Sequence, residues 1–286
     1  MWNNQNSKEE LERKRKEEQQ VLIEGAFGKY AEKWKTHHNN FMYIVRITEN
    51  YIVYINKNLL VDWETSAEFD QQISANPEEE KKQSEYISCC MNLEQKSIEG
   101  LTENTIVSFK KIICEAIVNC FDGNYEPAKI MLKEAEEFRI ERLIEKSREW
   151  YLSFTILISA TFLSIIYLIN YLNSYWLAET FQMLNAAAYA IVGACLSIIL
   201  RSGHLVHASY AGEKLHFIEC CSRLLGGAIT GLIIFFSIKS NLIFTSTITA
   251  ENSHYLYPLF SILAGASERF TPSIISNFEK FNSIKK

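Results

Sequence analysis

Long uncharged apolar runs dominate the second half of the chain. Residues 152–172 form a run of 21 positions without an acidic or basic side chain, residues 183–200 one of 18, and residues 224–238 one of 15. About 20 helical residues, at about 1.5 Å each, cross the hydrocarbon core of a bilayer. The runs therefore predict three membrane spans. Residues 254–266 form a fourth apolar segment, which is either a crossing or a re-entrant segment.

Basic residues indicate the orientation of these spans. Lys and Arg precede the first run, lie between the second and third, and follow the last segment, whereas the loops 173–182 and 240–253 contain none. Cytoplasmic loops of membrane proteins are enriched in Lys and Arg, so both termini are predicted to be cytoplasmic. An even number of crossings follows, which favours a full crossing by residues 254–266.

The first half of the chain has weaker helical patterns. Charges of mixed sign dominate residues 7–34, and apolar residues recur every three or four positions over residues 106–120, as on one face of a helix. Residues 128–172 can form one uninterrupted helix that includes the first span. Residues 41–61 fit either a helix or a strand, and the length of the segment favours a helix, while residues 62–82 are predicted as a loop. The predicted fold class is all-α.

Charge and cysteine usage define the predicted domains. Residues 1–150 carry 28 acidic and 21 basic side chains, against 6 and 8 in residues 151–286. We expect a cytoplasmic helical sensor or regulatory domain at residues 1–150, a transmembrane domain at 151–270 and a cytoplasmic tail at 271–286. The seven cysteines, an odd number with two adjacent pairs, are typical of reduced thiols facing a cytoplasm.

Motifs for catalysis are missing from the sequence. It contains no phosphate-binding glycine loop, no nucleophile elbow and no HExxH motif, so neither an enzyme nor a cofactor is predicted. His204 and His207, and likewise His216 and Cys220, have the helical spacing of metal ligands. The alternative is that these histidines titrate near neutral pH and bias a gate, and no metal site is predicted.

Small residues recur at four-residue spacing in the last three apolar segments, which predicts close helix packing. These residues are Ala186, Ala190 and Ala194 in the second span, Gly227 and Gly231 in the third, and Ser261 and Gly265 in the fourth segment. They join spans either within one subunit or between subunits. Because the spans have few polar residues, a water path requires several subunits, so a homo-oligomer is predicted, with a tetramer favoured.

Charged residues at the ends of the spans are candidates for a pore mouth. Glu179 has no basic neighbour in its loop, so it is either part of an outer selectivity ring or a solvated acid. Glu268 and Arg269 follow the fourth segment, at a pore mouth or as an ion pair that fixes the end of the helix.

Two basic clusters are candidates for binding an anionic nucleotide or a short oligonucleotide. Arg13 and Arg15 lie in the first cluster, and Lys110 and Lys111 form the second. The alternative for Lys110 and Lys111 is the solvated face of a helix.

The most distinctive stretch is residues 264–275, AGASERFTPSII. It resembles a Gly-x-Ser-Glu-Arg-Phe-x-Pro motif in the last membrane segment of small bacterial membrane proteins, several of them from anti-phage defence operons. In outline the chain is similar to the Hailong-type membrane effectors, although Ala266 stands where that pattern more often has Phe. The resemblance implies a homo-oligomeric channel of the inner membrane. A nucleotide-derived ligand from a partner nucleotidyltransferase holds such a channel in check.

The sequence thus favours a regulated, oligomeric channel or pore-forming effector of the bacterial inner membrane, which depolarises the cell in abortive infection. The alternative is a non-conducting membrane-anchored receptor or scaffold whose soluble half binds a protein partner. Ion flux through the purified protein in liposomes distinguishes the two.

Overall fold

A computed structural model of the chain describes residues 13, 14, 17, 30, 33, 34, 41–172, 178–202, 212–240 and 253–267, with the backbone alone at 178, 179, 253 and 254. The chain divides into two compact units, Met1–Leu143 and Ile144–Lys286. Helix accounts for 78% of the described residues. The first unit also contains a sheet, so the expected all-α class is wrong for that unit.

Strands come first and helices afterwards. From residue 41 onward the elements are β1 (Phe41–Ile47), β2 (Tyr51–Asn56), β3 (Val61–Thr65), α1 (Ala67–Ser74), α2 (Pro77–Glu94), α3 (Glu103–Phe121), α4 (Tyr125–Leu172), α5 (Ala178–Arg201), α6 (Glu213–Lys239) and α7 (Ser253–Ala266).

The three strands form an antiparallel sheet in the order β1-β2-β3. Thr48 closes the first turn, because its hydroxyl donates to the carbonyl of Tyr51 at 2.9 Å and accepts from the Tyr51 N–H at 2.9 Å. Asn56 closes the second turn through its side-chain oxygen, which accepts from the backbone N–H of Asn58 and of Leu60. Each turn spans only a few residues, so one sheet fits into the 41–65 stretch.

The helix expected for residues 41–61 is therefore wrong, and burial explains the error. Five of the six residues of β2 are buried, because Val53 and Ile55 contact one core cluster while Ile52 and Tyr54 contact another. A strand covered on both faces loses the alternation of apolar and polar residues that marks a half-exposed strand. The segment also holds two strands and their turn, which together have the length of one helix.

The loop expected for residues 62–82 is wrong as well. The segment contains most of β3, all of α1 and the first turns of α2. Ser66 caps α1, since its hydroxyl accepts from the N–H of Phe69 at 3.2 Å, and Pro77 occupies the first turn of α2. Proline is tolerated there because the N–H groups of a first helical turn have no helical partner, so it starts a helix instead of marking a loop.

Helix α3 supplies much of the hydrophobic core of the first unit. Phe109, Ile113 and Ile117 are fully buried and pack with Val53 and Ile55 of the sheet in one cluster. This confirms the helical periodicity predicted over residues 106–120. The core is built mainly from aromatic and branched aliphatic side chains.

Three helices in the described part of the chain are long and apolar enough to cross a membrane. They are Tyr125–Leu172, Thr180–Arg201 and Glu213–Lys239. Helix α4 is continuous over 48 residues, as the pattern of residues 128–172 predicts. Helix α7 has 14 residues, or about 21 Å at about 1.5 Å per residue, which is short of the hydrocarbon thickness of about 30 Å. A fourth crossing and the cytoplasmic position of the termini stay predictions.

Candidate functional site

Helices α5 and α6 approach each other at glycine. A Cβ atom added to Gly231 would lie 2.5 Å from the Cβ of Ala190 and 2.7 Å from the carbonyl oxygen of Ala186. At Gly227, an added Cβ would lie 2.6 Å from the Cβ of Ala194. All three distances are shorter than a normal van der Waals contact of a Cβ atom, so only glycine permits this separation of the two helices.

Helix α7 packs on α5 in the same way. A Cβ on Gly265 would overlap the carbonyl oxygen of Ala190, and a Cβ on Gly193 would overlap the carbonyl oxygen of Ile262. Ser261, which is also on α7, is 1% exposed. The predicted small-residue stripes thus meet one another within one subunit. Gly193 was not singled out from the sequence, although its four-residue spacing to Ser197 is the signal that identifies such a contact.

Polar pairs join α4 to the helices beside it. The pairs include Ser147 Oγ and His216 Nε2 at 2.7 Å, Thr155 Oγ1 and Cys220 Sγ at 3.3 Å, and Asn170 Nδ2 and Asn185 Oδ1 at 3.1 Å. Hydrogen bonds between helices stabilise membrane bundles. The two members of a pair are up to 69 residues apart in the sequence, so no local pattern predicts them.

Helix α4 is otherwise poorly covered. Only 11% of its apolar 18-residue window is buried, compared with 33% in each of the other two candidate spans. Tyr151 and Ile158 are buried, so one side of the helix packs on the bundle. The residues on the opposite side recur at spacings of three, four and seven and are exposed: Ser153, Ala160, Ser164, Tyr167 and Tyr171.

We call these five positions the uncovered face of α4. Hydroxyl groups occupy four of them, and the rings of Tyr167 and Tyr171 stack with centroids 6.5 Å apart. The buried side of the same span carries Thr155 and Ser159 beside Ile158, so hydroxyl groups lie on both sides of the helix. A membrane-crossing helix that leaves hydroxyl groups uncovered is suited to contact water or another protein surface.

The residues predicted for a pore mouth have little described geometry. Glu179 is the second residue of α5, and its side chain lies outside the described atoms. Glu268 and Arg269 lie outside the described residues altogether. Their roles stay predictions.

Lys110 does not have the environment of a phosphate ligand. It is 2% exposed, and its Nζ lies 2.7 Å from Oε1 of Glu94. The same carboxylate oxygen accepts the backbone N–H of Val61 at 2.7 Å. The ion pair therefore joins α2, α3 and β3 in the core. The periodicity of α3 gives no sign of this role, because Glu94 lies on another helix.

The other basic candidates have different surroundings. Lys111 Nζ lies 3.6 Å from the ring centroid of Tyr43, a cation–π contact. Arg13 pairs with Glu17 at 3.7 Å, with both side chains largely exposed. Arg15 lies outside the described residues.

Buried thiols in the first unit are held in the protonated form. Burial raises the pKa of Cys90 and of Cys120 to about 12, and it raises the pKa of Cys114 well above its usual value. A thiol is a nucleophile and a metal ligand as the thiolate, so these three are unreactive near neutral pH. Among the described residues, no three His, Cys, Asp or Glu side chains converge as a metal-binding group. His204 and His207 lie outside the described residues.

These features define a mainly helical chain with three candidate transmembrane helices and a small sheet-containing unit. No protein-family model, curated protein or solved structure matches it.

Proposed function

We propose that the chain is a regulated, pore-forming channel of the bacterial inner membrane, assembled from several identical subunits, with four favoured. In this proposal the uncovered face of α4 lines the water path, and opening depolarises the cell as an anti-phage response. The observation that supports this proposal most strongly is the difference in burial between α4 and the other two candidate spans. The apolar window of α4 is 11% buried, while α5 and α6 are each 33% buried in their windows.

The packing of α5, α6 and α7 supports assembly from several subunits. Glycines lie where these helices cross, and the helices are very close there. A single added methyl group would overlap backbone atoms at Gly193 and Gly265. The described part of one subunit thus leaves no channel-sized space along these contacts. A path for ions then has to run between subunits.

The chemistry of α4 supports its placement at the axis. Lipid offers no hydrogen-bond partner to a hydroxyl, whereas a water-filled lumen does. Ser153 and Ser164 lie seven and four residues from Ala160, so they share one side of the helix with it. That side continues to Lys146 at the basic end of the span, where its Nζ pairs with Glu149 at 2.9 Å.

A tryptophan scan with a matched control tests this arrangement. Ser164→Trp places a large side chain on the uncovered face, and Ile165→Trp places the same side chain on an adjacent exposed position, since Ile165 is 48% exposed. We expect Ser164→Trp to reduce ion flux in liposomes at least about tenfold and Ile165→Trp to conduct like the wild type. Absence of wild-type flux, or equal flux in both variants, contradicts the proposal and favours the non-conducting scaffold or receptor.

Charge at the outer mouth is the second part of the proposal. Glu179 is the second residue of α5, and a ring of such carboxylates concentrates cations. Replacing it in Glu179→Gln is expected to reduce the preference for cations, measured as a smaller reversal potential in a salt gradient. An unchanged reversal potential removes Glu179 from the selectivity ring.

The regulator and the defence role rest on the resemblance of residues 264–275. We propose that a nucleotide or short oligonucleotide from a partner nucleotidyltransferase acts on the first unit. The buried ion pair of Lys110 leaves Arg13 and Arg15 as the stronger basic candidates. Arg13→Glu with Arg15→Glu should weaken binding and its dependence on salt, whereas Lys129→Glu with Lys133→Glu is a matched control of equal charge. Equal binding by all variants contradicts a site at Arg13 and Arg15.

A further inference from the structure

A small cavity with both apolar and polar lining residues lies between α5, α6 and α7, within the second unit. It has a volume of about 230 Å³, and its lining includes Ser197, Arg223, Thr230 and Ser267. Pockets for drug-sized ligands have volumes of about 300–1,000 Å³, so this smaller cavity is suited to a headgroup-sized moiety. We call it the Arg223 niche.

Glycine creates the niche. A Cβ on Gly226 would meet no atom within 4 Å, and this residue is exposed, so it leaves one side open. Gly227 and Gly265 line the same cavity, and both contact α5. Larger side chains at these positions would fill the cavity or separate the helices.

The polar groups of the niche favour an anion. Arg223 brings a positive charge and a guanidinium with five N–H donors, one arm of which pairs with Glu219 Oε1 at 3.0 Å. Ser197 and Ser267 add hydroxyl donors. Thr230 donates to the carbonyl of Gly227 at 2.7 Å, so its hydroxyl hydrogen is already used.

The position of the niche along the helices favours a lipid. Arg223 directly precedes the uncharged run 224–238, and Ser197 lies one turn before Arg201, where the run 183–200 ends. Arginine at this depth reaches the boundary between hydrocarbon and headgroups, where phospholipid phosphates lie. Basic pockets between membrane helices at the cytoplasmic side bind anionic headgroups.

We propose that the Arg223 niche binds the phosphate of an anionic phospholipid headgroup. Arg223 forms the charged contact, Ser197 and Ser267 donate to phosphate oxygens, and Gly226 admits the headgroup from the lipid side. The site does not depend on whether the protein conducts ions.

Lipid retention by the purified full-length protein tests the site. Protein in detergent is incubated with phosphatidylglycerol or with phosphatidylcholine, and the lipid molecules kept per chain are counted by native mass spectrometry. We expect preferential retention of phosphatidylglycerol, reduced at least about tenfold by Arg223→Gln and by Gly226→Leu. The matched controls are Arg201→Gln, an exposed arginine, and Gly212→Leu, where an added Cβ also meets no atom within 4 Å.

The outcomes separate a lipid from a free anion. Wild-type retention by both niche variants, or equal retention of the two lipids, overturns the proposal. Inorganic phosphate alone is the third arm: if it displaces phosphatidylglycerol completely at millimolar concentration, the niche is a site for free phosphate and the lipid assignment is wrong. Should Gly226→Leu fail to fold, Arg223→Gln against Arg223→Lys, which keeps the charge, decides the question.

Discussion

The two units of the chain use opposite ways of filling space. In the first unit, Phe109 and Ile113 are fully buried and large side chains occupy the core. In the second, the helices meet at Gly227 and Gly231, where an added Cβ would lie 2.6 Å or less from a neighbouring atom. Water drives large apolar side chains together, whereas in lipid the gain comes from close backbone approach. Removing volume should therefore harm the first unit, and adding volume should harm the second.

The largest effect is expected from breaking the buried ion pair. Lys110→Met leaves the Glu94 carboxylate uncompensated at 7% exposure, which typically costs about 3–5 kcal/mol. Adding Glu94→Gln removes the stranded charge and keeps an acceptor for the Val61 N–H, so the double variant should recover most of the loss. Hydrogen exchange of the α3 amides in the full-length protein measures both. A double variant as unstable as the single one would show that the charge is not the cause.

Truncation in the same core comes next. Phe109 is fully buried, so Phe109→Ala is expected to lose about 3–5 kcal/mol from the lost contacts and the cavity left behind. Ile130 is 54% exposed, and Ile130→Ala should change stability by less than about 0.5 kcal/mol. The same exchange measurement compares the two, and equal effects would contradict the volume-filled core.

Enlargement tests the second unit through two adjacent glycines. Gly227→Leu should destabilise the bundle by about 1–3 kcal/mol, because the new side chain collides with α5. Gly226→Leu places the same side chain where an added Cβ meets no atom within 4 Å, so it should preserve the bundle. Thermal unfolding in detergent distinguishes the two variants. Identical midpoints would mean that Gly227 is not a contact.

A smaller effect is expected from Tyr51 in alkaline solution. Burial, followed by the hydrogen bond that its hydroxyl donates to Asp122 Oδ1 at 2.6 Å, raises the pKa of Tyr51 above its usual range. Because the pKa of Tyr51 is higher in the folded protein, its contribution to stability is fully present below the unfolded-state pKa of about 10. The contribution is lost as the pH rises through the folded-state pKa.

Tyr51→Phe tests this contribution. It should cost about 0.5–1.5 kcal/mol at neutral pH and reduce the loss of stability above about pH 10, with Tyr54, whose pKa is also raised, retaining part of it. Thermal melts followed by circular dichroism, at neutral pH and above about pH 10, compare the variant with the wild type. An unchanged alkaline loss would contradict the role of Tyr51.

The same contrast explains what the sequence could predict. Uncharged runs and small-residue spacing are local signals, so the candidate spans and the stripes that meet at Ala190 follow from the sequence. The sheet was missed because β2 is buried on both faces and has no alternation. Its composition, Tyr51 to Ile55 with β-branched and aromatic residues only, is the signal that favours a strand.

The environment of single side chains was harder to predict. Lys110 looks like the solvated face of a helix until Glu94 is brought beside it from another element. The contact between Ser147 and His216 likewise joins residues 69 positions apart. Such pairs depend on tertiary packing, which one sequence does not reveal.

The central claim, that several copies of the chain assemble so that the uncovered face of α4 lines a shared water path, is tested most directly by the mass of the assembly. The protein is extracted and kept in lipid nanodiscs, and its mass is measured by light scattering corrected for lipid. Four chains of 33.1 kDa give about 132 kDa, and the account predicts this value or the mass of another ring of several subunits. A single 33.1 kDa chain in every disc, with full activity in cells, would contradict it.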